Sequence, residues 1–252
     1  MLDLAWAGVR FLPKAWRRGG GGLIAVSVGV GLWAWSARVS APAGGFLILP
    51  GLALACLAVQ AALWIVALGQ PPEAWRAGAL ARSMLRLLGA WTLKAIFLCV
   101  LGLLALVVLL CTAYAVASAG DGFRVSEIAT WAPAIDGRGR MVFGAVGIAL
   151  GLGMLWAAAR VSLASAATMA SGRVLMLSTW PATRVWGWSL VLITLLLGAG
   201  AAVLVSAAYR RAGPVGDAVA GLIIGGLWLP LNVGVTAYIW NRLSPADLVG
   251  LA

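Results

Sequence analysis

The chain has no histidine, only seven carboxylates and only three cysteines in 252 residues. Without histidine the commonest general base and metal ligand is missing. None of the carboxylates falls inside an apolar run long enough to cross a bilayer. Proton relays in pumps and transporters usually run through intramembrane Asp, Glu or His, so proton-coupled transport is disfavoured. Cys56, Cys99 and Cys111 sit within apolar runs and read as small apolar side chains. Cys99 and Cys111, on one predicted helix, lie about 18 Å apart at ~1.5 Å per residue, too far to pair. No catalytic residue, no metal site and no cofactor is expected.

Charge of both signs is scarce. Charged residues make up 10% of the chain against 63% hydrophobic residues, and the mean hydropathy is +1.03. A soluble domain of this length needs far more charge to cover its surface, so the chain is an integral membrane protein. Helices are the default spanning element, because hydrocarbon leaves an open strand edge without partners. The apolar runs are also too continuous for the alternating segments of a barrel. Eighteen basic residues give a net charge of +11, but there is no Lys/Arg tract and no basic, aromatic-interleaved face on a soluble domain. Nucleic acid is therefore not an expected partner, and the excess fits basic loops facing anionic lipid.

Six stretches approach the roughly 20 apolar residues a span requires: 20–37, 46–68, 91–117, 141–159, 188–208 and 218–240. The first is the weakest, short and glycine-rich at its start. With the N-terminus inside, the inner segments hold 12 basic residues: Arg10, Lys14, Arg17, Arg18, Arg76, Arg82, Arg86, Lys94, Arg160, Arg173, Arg184 and Arg242. The outer segments hold 6, namely Arg38, Arg124, Arg138, Arg140, Arg210 and Arg211. The expected fold is all-α, a polytopic helical membrane protein of about six transmembrane helices with cytoplasmic interfacial helices, N-in and C-in, forming one domain over 1–252. A rival reading takes the basic N-terminus, the apolar stretch and "VSA" at 39–41 as a cleaved signal peptide. The length of the basic region and the glycine and tryptophan in the apolar stretch speak against it.

Basic residues and tryptophan recur before the outward-going spans, in "KAWRR" at 14–18, "EAWRAGALARSMLRLLGAW" at 73–91 and "STWPATRVWGW" at 178–188. In the second, Leu80, Met84, Leu87, Leu88 and Trp91 share a face at 100° per residue, with Arg82 and Arg86 roughly opposite, which predicts an interfacial helix turning into the third span. Pro71, Pro72 and Glu73 mark its start. In the first, Leu2, Trp6, Val9 and Trp16 line up, with Arg10, Lys14 and Arg17 away from them and Pro13 interrupting. The third has no amphipathic stripe, and its tryptophans suit an anchor at headgroup level. Aromatic belts explain the recurrence without an internal repeat.

Polarity inside the spans is thin. Gln60 and Asn232, in spans that Pro50 and Pro230 can kink to expose carbonyls, mark either a path between inner helices or a pair of interhelical hydrogen bonds. The outer segments gather Asp121, Glu127, Asp136 and Asp217, which without recognisable ligand spacing read as solvated loop charges. Gly147/Gly151 and Gly221/Gly225 have the small-xxx-small spacing of close helix packing, but 33 glycines make two such pairs unremarkable.

"ARVSLASAA" at 159–167, followed by Trp180, Thr183, Arg184 and Trp188, resembles a signature of bacterial membrane proteins related to the glycerophosphoryl diester phosphodiesterase membrane domain. Arg160, Ser162 and Leu163 match its first part; Trp180, Thr183, Arg184 and Trp188 match its second. Ala166, Thr179 and Val185 depart from it, standing where the family has proline, serine and glycine. The resemblance implies residence in a bacterial inner membrane and little about activity, since any phosphodiesterase chemistry belongs to a separate soluble domain. The expected function is non-enzymatic: engagement of membrane phospholipids, or of a membrane-protein partner or second copy, through Arg82, Arg86, Arg160, Arg173, Trp180, Thr183, Arg184 and Trp188. The alternative is a small-molecule or lipid permease with its path near Gln60 and Asn232.

Overall fold

Hydrocarbon offers a backbone amide no hydrogen-bond partner, so each spanning segment must satisfy its own. The computed structural model describes residues 2–39, 43–119, 131, 135–176, 179–183, 187–210 and 213–243, and among them every regular element is helical. Helix α1 is Leu2–Val39 and α2 is Ala43–Ala67. A 3₁₀ turn over Pro72–Trp75 leads into α3, Ala77–Ala117. Helix α4 runs Gly137–Ser171, passing through one 3₁₀ turn at Val161–Leu163. A single turn at Thr179–Ala182 precedes α5, Gly187–Arg210. Helix α6 joins Gly213–Gly221, a π-helical stretch Leu222–Trp228 and Leu229–Arg242. Among the described residues five helices are long and apolar enough to cross a membrane, in α2 to α6.

Two helices run on where the sequence pattern predicts an interruption. Pro13 does not interrupt α1, which continues for 38 residues. A proline costs one backbone hydrogen bond and a clash, and here its neighbours Phe11 and Ala15 are buried against the rest of the protein. Nor does the chain turn at residue 91: α3 is one helix of 41 residues, about 62 Å at ~1.5 Å per residue, roughly twice a ~30 Å hydrocarbon core.

Contacts divide the chain into two compact units, Met1–Thr92 with Ala159–Ala252, and Leu93–Ala158. In the first, α1 packs against both α2 and α6. The α1–α6 contact is antiparallel, passing from Gly8 against Val235, through Phe11 against Gly234 and Trp16 against Gly226, to Gly31 against Asp217 and Ala218. From Gly8 to Gly31 it covers about 35 Å. Glycine makes this approach feasible. A Cβ on Gly221 would run into the Ser27 carbonyl, and one on Gly225 would sit 2.7 Å from the Ser27 hydroxyl. On the other side Gly22 faces Val59 and Gly29 faces Leu52. The core so formed includes Leu23, Val26, Leu57, Leu63, Trp64 and Val233.

The end of α2 is closed by Gly69 at φ 62°, with Gln70 N–H donating to the Ile65 carbonyl and Gly69 N–H to that of Val66. This is a Schellman cap. The Gln70 amide then donates to the Met169 carbonyl at 2.8 Å, tying α2 to the end of α4. Leu80, Met84, Leu87 and Trp91 of α3 close the same core; Leu88, at the edge of the predicted stripe, is exposed.

In the second unit Asp136 caps α4, its carboxylate accepting the Gly139 N–H at 2.6 Å. The Tyr114 and Trp131 rings meet edge to face at 5.8 Å. Leu103, Leu104, Ile148 and Leu152 stand exposed, as suits side chains whose solvent is lipid.

Candidate functional site

The sequence places Arg160 at the end of a span, and the structure shows what its guanidinium does there. Arg160 is 8% exposed. Its Nη1 donates to the Trp180 carbonyl at 3.1 Å and to the Thr183 hydroxyl at 2.9 Å, while the guanidinium lies 5.3 Å from the centre of the Trp180 ring. The Thr183 hydroxyl in turn donates to the Trp180 carbonyl. Three of the residues carrying the family resemblance thus meet in one lock, holding the turn at Thr179–Ala182 onto α4. Thr168, fully buried, extends the arrangement: its hydroxyl accepts the Leu175 N–H at 3.1 Å and donates to the Leu175 carbonyl, folding the loop after α4 back on the helix.

That loop starts at Gly172, whose φ of 71° suits glycine as a helix C-cap. The Arg86 guanidinium lies over it, with Nη1 3.3 Å from where a Cβ would stand. Gly89 admits Val174 in the same way. The first turns of α3 and the 172–176 loop therefore form one surface. On it Arg82 and Arg173 are exposed and Arg86 is half-buried. Arg82 spends one N–H on the Gly78 carbonyl of its own helix, and among the described residues none of the three pairs with a carboxylate.

A second basic feature was not legible as a site. The N-terminal turns of α1, the end of α2 and the C-terminal turns of α6 enclose a groove of ≈ 500 Å³. Phe11, Gly234 and Ala237 form its floor; Arg10, Lys14 and Arg242 stand around it with a single carboxylate, Asp3. Helix α1 makes this possible by presenting three faces. Leu4, Gly8, Phe11 and Ala15 face the core; Trp6, Val9 and Trp16 are exposed; the cations lie between. Trp6, Val9 and Trp16, which line up in the sequence as an interfacial face, are thus on a different side of α1 from the face that packs on the protein.

The remaining predicted residues are dispersed. Trp188, at the start of α5, is 78% exposed, whereas Trp180 is turned inward on Arg160. Arg184, Asp121 and Glu127 lie outside the described residues. Gln60 on α2 and Asn232 on α6 are half-buried and do not line this groove. Asp136 is a helix cap, and Asp217 is 1% exposed inside α6 rather than in a loop. Pro214 beside the start of α6 is the sequence signal that could have placed it in the helix. Among the described residues no cluster of His, Cys, Asp or Glu could hold a metal.

No family model, curated protein or solved structure matches the chain. Its helices establish an all-α protein with five long apolar candidate spans, a polytopic membrane protein by length and hydropathy.

Proposed function

We propose that the protein is a non-enzymatic component of a bacterial inner membrane that engages anionic phospholipid headgroups, or an anionic membrane partner, at its cytoplasmic surface. The observation that carries this reading is the surface shared by α3 and the 172–176 loop, where among the described residues Arg82, Arg86 and Arg173 stand without carboxylate partners. Each such cation near an anionic surface contributes about 1 kcal/mol, so three suffice to select anionic over zwitterionic lipid. Arg160 and Thr183 act here as positioning residues. They orient Trp180, while Trp188 is exposed at the start of α5 and has a ring that suits the headgroup level. Kinship with the glycerophosphoryl diester phosphodiesterase membrane domain belongs to the same proposal, and it rests on the signature residues Arg160, Trp180 and Thr183.

Lipids retained by the detergent-purified protein provide the test. Wild type is expected to retain phosphatidylglycerol over phosphatidylethanolamine in native mass spectra, and Arg82→Gln/Arg86→Gln/Arg173→Gln to lose that preference at unchanged melting temperature. An unchanged lipid ratio in the folded triple variant would falsify the reading.

A further inference from the structure

We propose that the groove between the N-terminal turns of α1 and the C-terminal turns of α6 binds a phosphate group carried on a small amphiphilic molecule. This goes beyond the headgroup reading and shares no residue with it. Arg10 and Lys14 are four residues apart and so lie one above the other on the same face of α1. Arg242 faces the groove from the last turn of α6. Each arginine is stacked on an aromatic ring: Arg10 lies 5.5 Å from the centre of Trp6 and Arg242 lies 4.9 Å from that of Tyr238. Stacking fixes the plane of a guanidinium and leaves its N–H edge free to grip an oxyanion in a fork.

None of the three cations pairs with a carboxylate among the described residues. Asp3 offsets one charge, which leaves the groove with an excess of two. An excess held in a half-enclosed cleft attracts an anion of matching charge, and a phosphomonoester supplies it. The floor completes the fit. Phe11, Ala67, Gly234 and Ala237 are apolar, so the molecule that carries the phosphate presents hydrocarbon to them. The groove's ≈ 500 Å³ lies within the roughly 300–1,000 Å³ of small-molecule sites. Gly234 sets the shape, because a Cβ there would stand 2.8 Å from Phe11 Cβ and drive that ring into the cleft.

The carrier is either a membrane lipid or a soluble phosphate ester, and calorimetric titration of the full-length protein in neutral detergent separates them. The probes are dihexanoylphosphatidic acid, dihexanoylphosphatidylcholine and inorganic phosphate. Wild type is expected to bind the phosphatidic acid about tenfold or more tighter than the choline lipid. Arg10→Gln/Arg242→Gln should weaken that binding by about tenfold or more, and Lys14→Gln by a smaller factor. Arg17→Gln, an exposed cation of α1 outside the groove, should leave it unchanged, and the loss in Arg10→Gln/Arg242→Gln should persist in the Arg82→Gln/Arg86→Gln/Arg173→Gln background, which separates this site from the surface proposed above. Competition by millimolar inorganic phosphate would assign the site to a soluble ester, and its absence to a lipid. A folded Arg10→Gln/Arg242→Gln protein that binds like wild type overturns the proposal. Should that variant not fold, full binding by Lys14→Gln/Asn241→Leu overturns it equally.

Discussion

A guanidinium withdrawn from water needs acceptors for its N–H groups, and Arg160 finds them on a turn that is separated from it by 20–23 residues. Hydrogen bonds from a charged donor contribute about 1.5–3 kcal/mol each. Arg160→Met is therefore expected to lower stability by roughly 2 kcal/mol or more, read as a fall in melting temperature of the purified protein. Arg160→Lys should recover less than half of the loss, because an ammonium is more strongly hydrated than a guanidinium and has no flat face to lay on Trp180. A wild-type melting temperature for Arg160→Met would show that the lock contributes nothing. Hydropathy alone reads Arg160 as the basic end of a span; only the signature shared with Trp180 and Thr183 hints that these residues belong together. Arg10 and Arg242 carry no such hint. They stand at opposite ends of the chain, and folding alone brings them to one groove.

Two pairs of glycines with the same spacing do different work at the level of helices. Gly221 and Gly225 press on the Ser27 backbone and hydroxyl, whereas a Cβ on Gly151 would meet nothing within 4 Å and one on Gly147 only the tip of Leu109 at 3.9 Å. Overpacking a close contact costs about 1–3 kcal/mol, and the seam's backbone-to-backbone approach leaves no side chain to rotate away. Gly221→Leu is thus expected to unfold the first unit or lower its melting temperature sharply, while Gly151→Leu leaves it near wild type. Equal effects would mean that α1 and α6 do not meet as described. The motif could be read from sequence but its use could not, because use depends on which helix lies opposite. The same holds for the π-helical Leu222–Trp228, whose Gly226 carbonyl accepts the Trp16 indole N–H at 3.1 Å. The positions of the apolar runs, in contrast, were plain, since length and hydropathy decide them. Helix ends were less so: α4 continues past Ala159 because Ala164, Ala166, Ala167 and Met169 are small or apolar enough to pack into the first unit's core.

At the scale of the molecule, α1 decides what the chain can be. Read by hydropathy its apolar half is the weakest of the six stretches and imitates a signal peptide. In the fold it is the element that α2 and α6 both pack against, with Ala15, Leu23 and Val26 fully or almost fully buried. Cleavage near residue 41 would remove one wall of that core and the whole glycine seam, and would leave Val233 and Leu63 facing a void. The packing of α1 also fixes where its first turn lies relative to the last turn of α6. Asp3 and Arg242 line one groove, so the first turn of α1 and the last turn of α6 lie at the same end of the first unit, and the proposed topology, which rests on the excess of Lys and Arg in the predicted inner segments, puts that end in the cytoplasm. An epitope ahead of Leu2 is expected to stay on the mature protein. Fluorescent-protein fusions at either terminus should glow, and alkaline phosphatase fusions at the same positions should be inactive. Loss of the N-terminal epitope, or active phosphatase at one end alone, would break the link between the antiparallel α1–α6 seam and the topology. It would also take from Arg10 and Arg242 the shared surface on which a phosphate site depends.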